Sequence, residues 1–86
     1  MDINSLNLII EKKISQNISC KKIIIEDKTY LHKNHKSHEK NKFHIKLIIK
    51  SDELLKMNRI ESTKKIYKIL DYELKYYIHS IEVLLN

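Results

Sequence analysis

The chain contains no glycine, no proline and no tryptophan, and only one cysteine, one phenylalanine and one arginine. Without glycine there is no phosphate-cradling loop of the Walker or GxGxxG type, and no GxxG loop of the kind that clamps nucleotides in KH modules. A lone Cys20 closes no internal disulfide, and the absence of CxxC spacing removes the common zinc and thioredoxin patterns. A reducing compartment fits that usage. No stretch approaches the ~18 consecutive apolar residues of a membrane span. Asp2 and Glu11 interrupt the N-terminal region where a signal peptide needs an apolar core. The expectation is a cytoplasmic protein with no membrane partner, with a nuclear pool as a secondary alternative. No Ser-His-Asp or Cys-His arrangement is evident, and five histidines in a basic chain do not by themselves make acid-base chemistry. A binding protein is expected, not an enzyme.

What is present fits one small domain spanning 1–86. With 86 residues and 42% hydrophobic content, the chain builds one modest core; a chain of this size buries only about 60 to 70% of its unfolded surface. The net charge of +6 comes almost wholly from lysine. Lysine offers hydrated point charges and not planar forks, which suits loose phosphate attraction better than bidentate base reading.

Along the chain, Ile3, Leu6, Ile10 and Ile14 recur at helical spacing, with Ile9 beside them, and predict a first helix from Asp2 to about Ser15. The β-branched run Ile23-Ile24-Ile25 predicts a strand near Lys21 to Glu26. The polar stretch from Asp27 to Lys42, carrying His32, His35 and His38, reads as a long loop. Phe43, Ile45, Leu47 and Ile49 alternate with His44, Lys46, Ile48 and Lys50, which predicts a second strand, antiparallel to the first. Ser51 and Asp52 cap a short helix through Leu54 and Leu55, and Asn58 with Glu61 has capping-box spacing for a longer helix reaching about Lys75. The inward face of that helix is expected to hold Ile60, Thr63, Tyr67, Leu70 and Leu74, with Ile66 at its edge. Ile78, Ser80, Glu82 and Leu84 then alternate with His79, Ile81, Val83 and Leu85 in a third strand. The expected class is α+β, in the order helix, strand, strand, short helix, helix, strand, a class II KH-like arrangement with a three-stranded sheet.

Specific residues carry a family resemblance. Asp27-Lys28-Thr29-Tyr30-Leu31-His32-Lys33-Asn34-His35 resembles the Asp-x-Ser-x-x-His-x-x-His stretch of the BolA family, and Ile78-His79-Ser80-Ile81 resembles its Val/Ile-His-Ala-Leu signature. Between them, His44 falls where the family has Thr-His-Phe or Ser-His-Phe, followed by Ser51-Asp52, Ile66-Tyr67, Leu70 and Glu73-Leu74. The chain departs from the family at Ser62-Thr63-Lys64, where Arg-His-Arg is usual, and at Lys56 and Asn34, where glycines are usual.

The resemblance implies a [2Fe-2S] cluster shared with a monothiol glutaredoxin, whose cysteine and bound glutathione supply thiolates. On that reading His79 is a ligand and the loop supplies a second, with His35 and His32 nearly level and His38 behind them. By residue chemistry alone a histidine at a strand start is more often structural, and His44 is read as a structural residue bonded across the sheet. The competing reading is a nucleic-acid-binding KH-like regulator using Lys21, Lys22, Lys64, Lys65 and Lys68 as a basic face. Its bland counterpart is a solvated lysine surface.

Overall fold

The computed structural model describes residues 1–29 and 42–86. Most of the expected loop, and with it His32, His35 and His38, lies outside the described residues. The elements run α1 (Ile3–Asn17), β1 (Lys22–Asp27), β2 (Phe43–Lys50), α2 (Asp52–Leu55), α3 (Arg59–Ile69), α4 (Asp71–Tyr76) and β3 (Ile78–Leu85). The strands form one mixed sheet in the order β1-β2-β3, with β1 antiparallel and β3 parallel to β2. A parallel neighbour requires a crossover, and α2, α3 and α4 supply it. The α+β class and the element order are those expected from the sequence, except that the one long helix expected is divided into α3 and α4.

Local chemistry sets the element starts. The Asp2 carboxylate accepts a hydrogen bond from the Ser5 N–H at 2.8 Å and opens α1, whose Leu6, Ile10 and Ile14 are fully buried. Asn58 caps α3 by accepting from the Glu61 N–H at 2.9 Å, while its own amide donates to the Glu61 carboxylate at 2.7 Å. Ser51 caps α2 by accepting from the Leu54 N–H at 3.2 Å, and its hydroxyl donates to the Ser19 carbonyl at 2.7 Å. Ser51 therefore ties the helical crossover to the entry of β1. Because Ser51 is buried, Ser51→Ala loses a cap and leaves a carbonyl short of a donor. A drop of about 1–2 kcal/mol in unfolding free energy is expected by urea denaturation. A change below about 0.5 kcal/mol, the range of ordinary surface substitutions, would refute that role.

The helices cover one face of the sheet. The register aligns Ile23 with Ile49 and Leu85, Ile25 with Leu47 and Val83, and Ile45 with Ile81, and these rows face the helices. There they meet Leu6, Ile10, Ile14, Leu54, Ile66 and Leu70 in a single core. The opposite face holds the rows Lys22–Lys50, Ile24–Ile48–Leu84, Glu26–Lys46–Glu82 and His44–Ser80. No helix among the described residues is long and apolar enough to cross a membrane.

Two expectations about the crossover need correction. The long helix does not run unbroken to Lys75: it ends at Ile69, and Leu70, at φ −99° and ψ 19°, turns the chain into α4. Its buried face is also rotated by about one residue. Ile60 and Tyr67 are 68% and 43% exposed, whereas Ser62, Ile66, Leu70 and Glu73 are buried. The physical reason lies on α1: the Lys13 ammonium donates to both Glu73 carboxylate oxygens at 2.8 Å, so a charged residue can occupy the inner face. Ser62, which donates to the Arg59 carbonyl at 3.1 Å, is small enough to be buried beside it. A third correction concerns β3, whose alternation is broken at His79.

Candidate metal centre

The break sits at the start of β3. The ladder steps from Phe43–Ile78 to His44–Ser80, leaving His79 as an extra residue on β3. Strict alternation would put His79 on the same face as Ile81, Val83 and Leu85, toward the helices. The bulge resets the phase, so that Ile78 is buried in the core while His79 is exposed. Bulges re-aim side chains in this way and interrupt pairing locally.

His44 lies beside it. The two imidazole rings are 4.9 Å apart between centroids and inclined at 53°. The His44 ring is 5% exposed, with Nδ1 2.7 Å from the Ser80 hydroxyl. A bond across the sheet is what the sequence reading expected of His44. Its contact with His79 was not foreseen, because strand alternation alone puts the two on opposite faces and only the bulge unites them.

The chain on either side of 30–41 is fixed at this same end of the sheet. The Lys28 N–H donates to the His44 carbonyl at 2.7 Å, and the His44 N–H donates to the Thr29 hydroxyl at 3.2 Å. Thr29 is itself held by the Asp27 carboxylate. On the other side, the Phe43 N–H donates to the Tyr77 carbonyl at 2.9 Å. The segment carrying His32, His35 and His38 thus leaves and rejoins the described structure next to His44 and His79. Among the described residues, no three His, Cys, Asp or Glu side chains gather as a metal-holding group.

Cys20 precedes β1 at the other end of the sheet, about 20 Å away along an eight-residue strand. Its thiol points to the Ile18 carbonyl at 3.4 Å. Burial, helped by the nearby Glu53 charge, pushes its pKa up, away from thiolate character.

The five lysines singled out in the sequence do not share one face. Lys22 alternates with the helix-facing Ile23 and projects from the open side of the sheet opposite Lys50, whereas Lys64, Lys65 and Lys68 stand on α3 in the helical layer. Lys21 pairs with Asp52 at 3.2 Å and Lys65 with Glu53 at 2.8 Å. The Lys65 ammonium, with the Ser19 N–H, holds the Glu53 carboxyl below the usual carboxylate range. The stabilisation from this lowered pKa is present at neutral pH and is lost only as pH falls through the lowered value. Lys68 lines a shallow groove with Lys13, Gln16, Asn17, Lys65 and Ile69.

The fold is shared with known proteins. The chain is 29% identical over 77 residues to the DNA-binding transcriptional regulator BolA of Haemophilus influenzae, covering 90% of this chain and 72% of that protein. Its fold is similar to that of the BolA domain of SufE1 from Arabidopsis thaliana, with a TM-score of 0.78 and 22% identity, covering 100% of this chain and 93% of the other. BolA1 from Arabidopsis thaliana follows with a TM-score of 0.73 and 21% identity, covering 90% and 85%. BolA1 from Mus musculus has a TM-score of 0.71 and 16% identity, covering 90% and 60%. A family model described as BolA-like protein matches residues 14–85, which include both described histidines and only the last turn of α1. With that span of sequence matched and the same fold around it, the chain belongs to the BolA-like protein family.

Proposed function

We propose that this chain is an iron-sulfur partner of a monothiol glutaredoxin, sharing a [2Fe-2S] cluster through His79 and one histidine of the segment between β1 and β2, with His35 and His32 ahead of His38. The partner's cysteine and its bound glutathione complete the ligand set. The observation that carries this reading is the convergence at one end of the sheet. An exposed imidazole stands on a bulge beside a second imidazole. The histidine-bearing segment is anchored there at both ends.

The donor set fits the group: a neutral imidazole nitrogen is a good ligand for iron, and a bulged position lets His79 reach outward without disturbing the packing of Ile78. Mixed imidazole and thiolate ligation, when the cluster is held, raises its potential relative to an all-thiolate cluster. This chain's own contribution is to present and orient His79. A role in cluster trafficking or iron regulation follows, with no reaction catalysed by the chain itself.

The test is to mix the purified chain with a cluster-loaded monothiol glutaredoxin and record visible absorption and circular dichroism. A new spectrum with one-to-one stoichiometry is expected. Spectra equal to the sum of the separate components would overturn the proposal.

A second reading is nucleic-acid binding, favoured by the similarity to the DNA-binding transcriptional regulator of Haemophilus influenzae. Here the net charge of +6 supplies the attraction, and the lack of glycine removes a GxxG clamp. Such binding is expected to be steeply salt-dependent and indifferent to His79, which separates it from the cluster reading.

A further inference from the structure

We propose that the free edge of β3, with the groove between it and α3, accepts an extended acidic peptide segment of another protein as a fourth strand. Among the described residues β3 pairs only with β2, so it is an edge strand of eight residues. Edge strands are normally guarded by lysine, proline or shortness. β1, the other edge, is two residues shorter and begins and ends with charged residues, Lys22 and Asp27. β3 has neither lysine nor proline, and its one charged side chain is Glu82.

The backbone direction follows from the end of the strand. The Asn86 N–H donates to the Ile49 carbonyl at 2.9 Å, and the Asn86 carbonyl accepts from the Ser51 N–H at 3.3 Å. In a parallel ladder both groups of a residue point to the same side. The even-numbered positions of β3 therefore bond to β2, and Ile81, Val83 and Leu85 direct N–H and C=O to the free edge.

The side chains of those same three residues face the helical layer and remain only half-buried. They border a groove of about 600 Å³ whose other walls include Met57, Arg59, Thr63 and Tyr67. A strand added at this edge would set alternate side chains into that groove, the usual mode of strand addition.

Charge selects the occupant. Arg59 lines the groove, and the exposed Lys56 and Lys64 adjoin its lining residues. Of the nearby acids, Glu61 is bound by Asn58, and Glu82, the one acidic residue lining the groove, lies in register with Lys46 of β2. A second copy of this chain, itself at +6, is repelled, whereas an acidic segment is attracted.

The probe is a capped eight-residue peptide of alternating valine and glutamate, titrated into the full chain and followed by amide shifts. Changes centred on Ile81, Val83, Leu85 and Thr63 are expected. Two further peptides, each N-methylated along one of its edges, keep the charge, and one of them should bind at least about tenfold more weakly, the cost of a few lost hydrogen bonds. Thr63→Glu, at a half-buried helix position that lines the groove and is not part of the buried core, should weaken binding by a similar factor. Val83→Pro should do the same through loss of an edge N–H. Equal binding by all three peptides, shifts confined to the Lys13 and Lys68 groove, displacement by a single-stranded oligonucleotide of equal charge, or a peptide-independent dimer in light scattering would each overturn the proposal.

Discussion

His79→Ala is expected to abolish the new visible and circular dichroism spectrum that forms when this chain meets a cluster-loaded monothiol glutaredoxin. The effect is large because a ligand is removed outright and no other described imidazole can take its place from the same position. His44 is buried and bonded to Ser80, so its ring is committed to the sheet. The fold should survive the substitution. His79 is exposed, and the strand is held by Ile78 in the core and by pairing of Ser80 through Leu85 with β2. Far-ultraviolet circular dichroism and the urea midpoint should therefore match those of the unsubstituted chain. His32→Ala and His35→Ala are expected to have milder effects, since a neighbouring histidine in the same segment can substitute at a cost in geometry. An undiminished spectral change with His79→Ala would remove His79 from the ligand set.

Ile66→Ala should cost about 2–5 kcal/mol, the range for truncating a large aliphatic side chain in a packed core. For a chain of 86 residues the total stability is only about 4–13 kcal/mol, so the variant should lie near the edge of folding at room temperature. Ile66 is fully buried against the core, whereas Ile60, on the same helix, is 68% exposed. Ile60→Ala should accordingly fall within about 0.5 kcal/mol of the parent. If replacement of an exposed isoleucine by a better helix former dominates, the change is toward stability. The pair of variants, measured by denaturant unfolding, distinguishes the two possible phases of α3. A large loss at Ile60 with little at Ile66 would restore the phase that periodicity suggests.

That contrast locates the boundary between sequence and structure. The element order, the α+β class and the caps at Ser51 and Asn58 were legible because they depend on local chemistry. A side-chain oxygen three residues before an N–H, or an apolar residue every three or four positions, encodes its own consequence. The buried stripe of α1 was legible for the same reason. His79 stands out as a candidate ligand only through the family motif around it, Ile78-His79-Ser80-Ile81, since nothing in the physics of a lone strand histidine singles it out.

Other features depended on partners far away in the chain. Across α3 and α4, two stripes share Leu70, and the one rich in apolar residues loses to the one containing Ser62 and Glu73. The deciding interaction is Lys13 with Glu73, sixty positions apart, which gives a carboxylate on a buried face an ammonium partner at 2.8 Å. No local pattern carries that information. The bulge at His79 is likewise a property of two strands, because the register of β3 is set by where Phe43 and His44 fall on β2. Residue types and their local spacing thus determined the elements of this protein and where they begin, apart from the break that separates α4 from α3. Tertiary structure alone decided which side of α3 is buried and how His79 comes to stand beside His44, because burial and register are settled between elements and not within them.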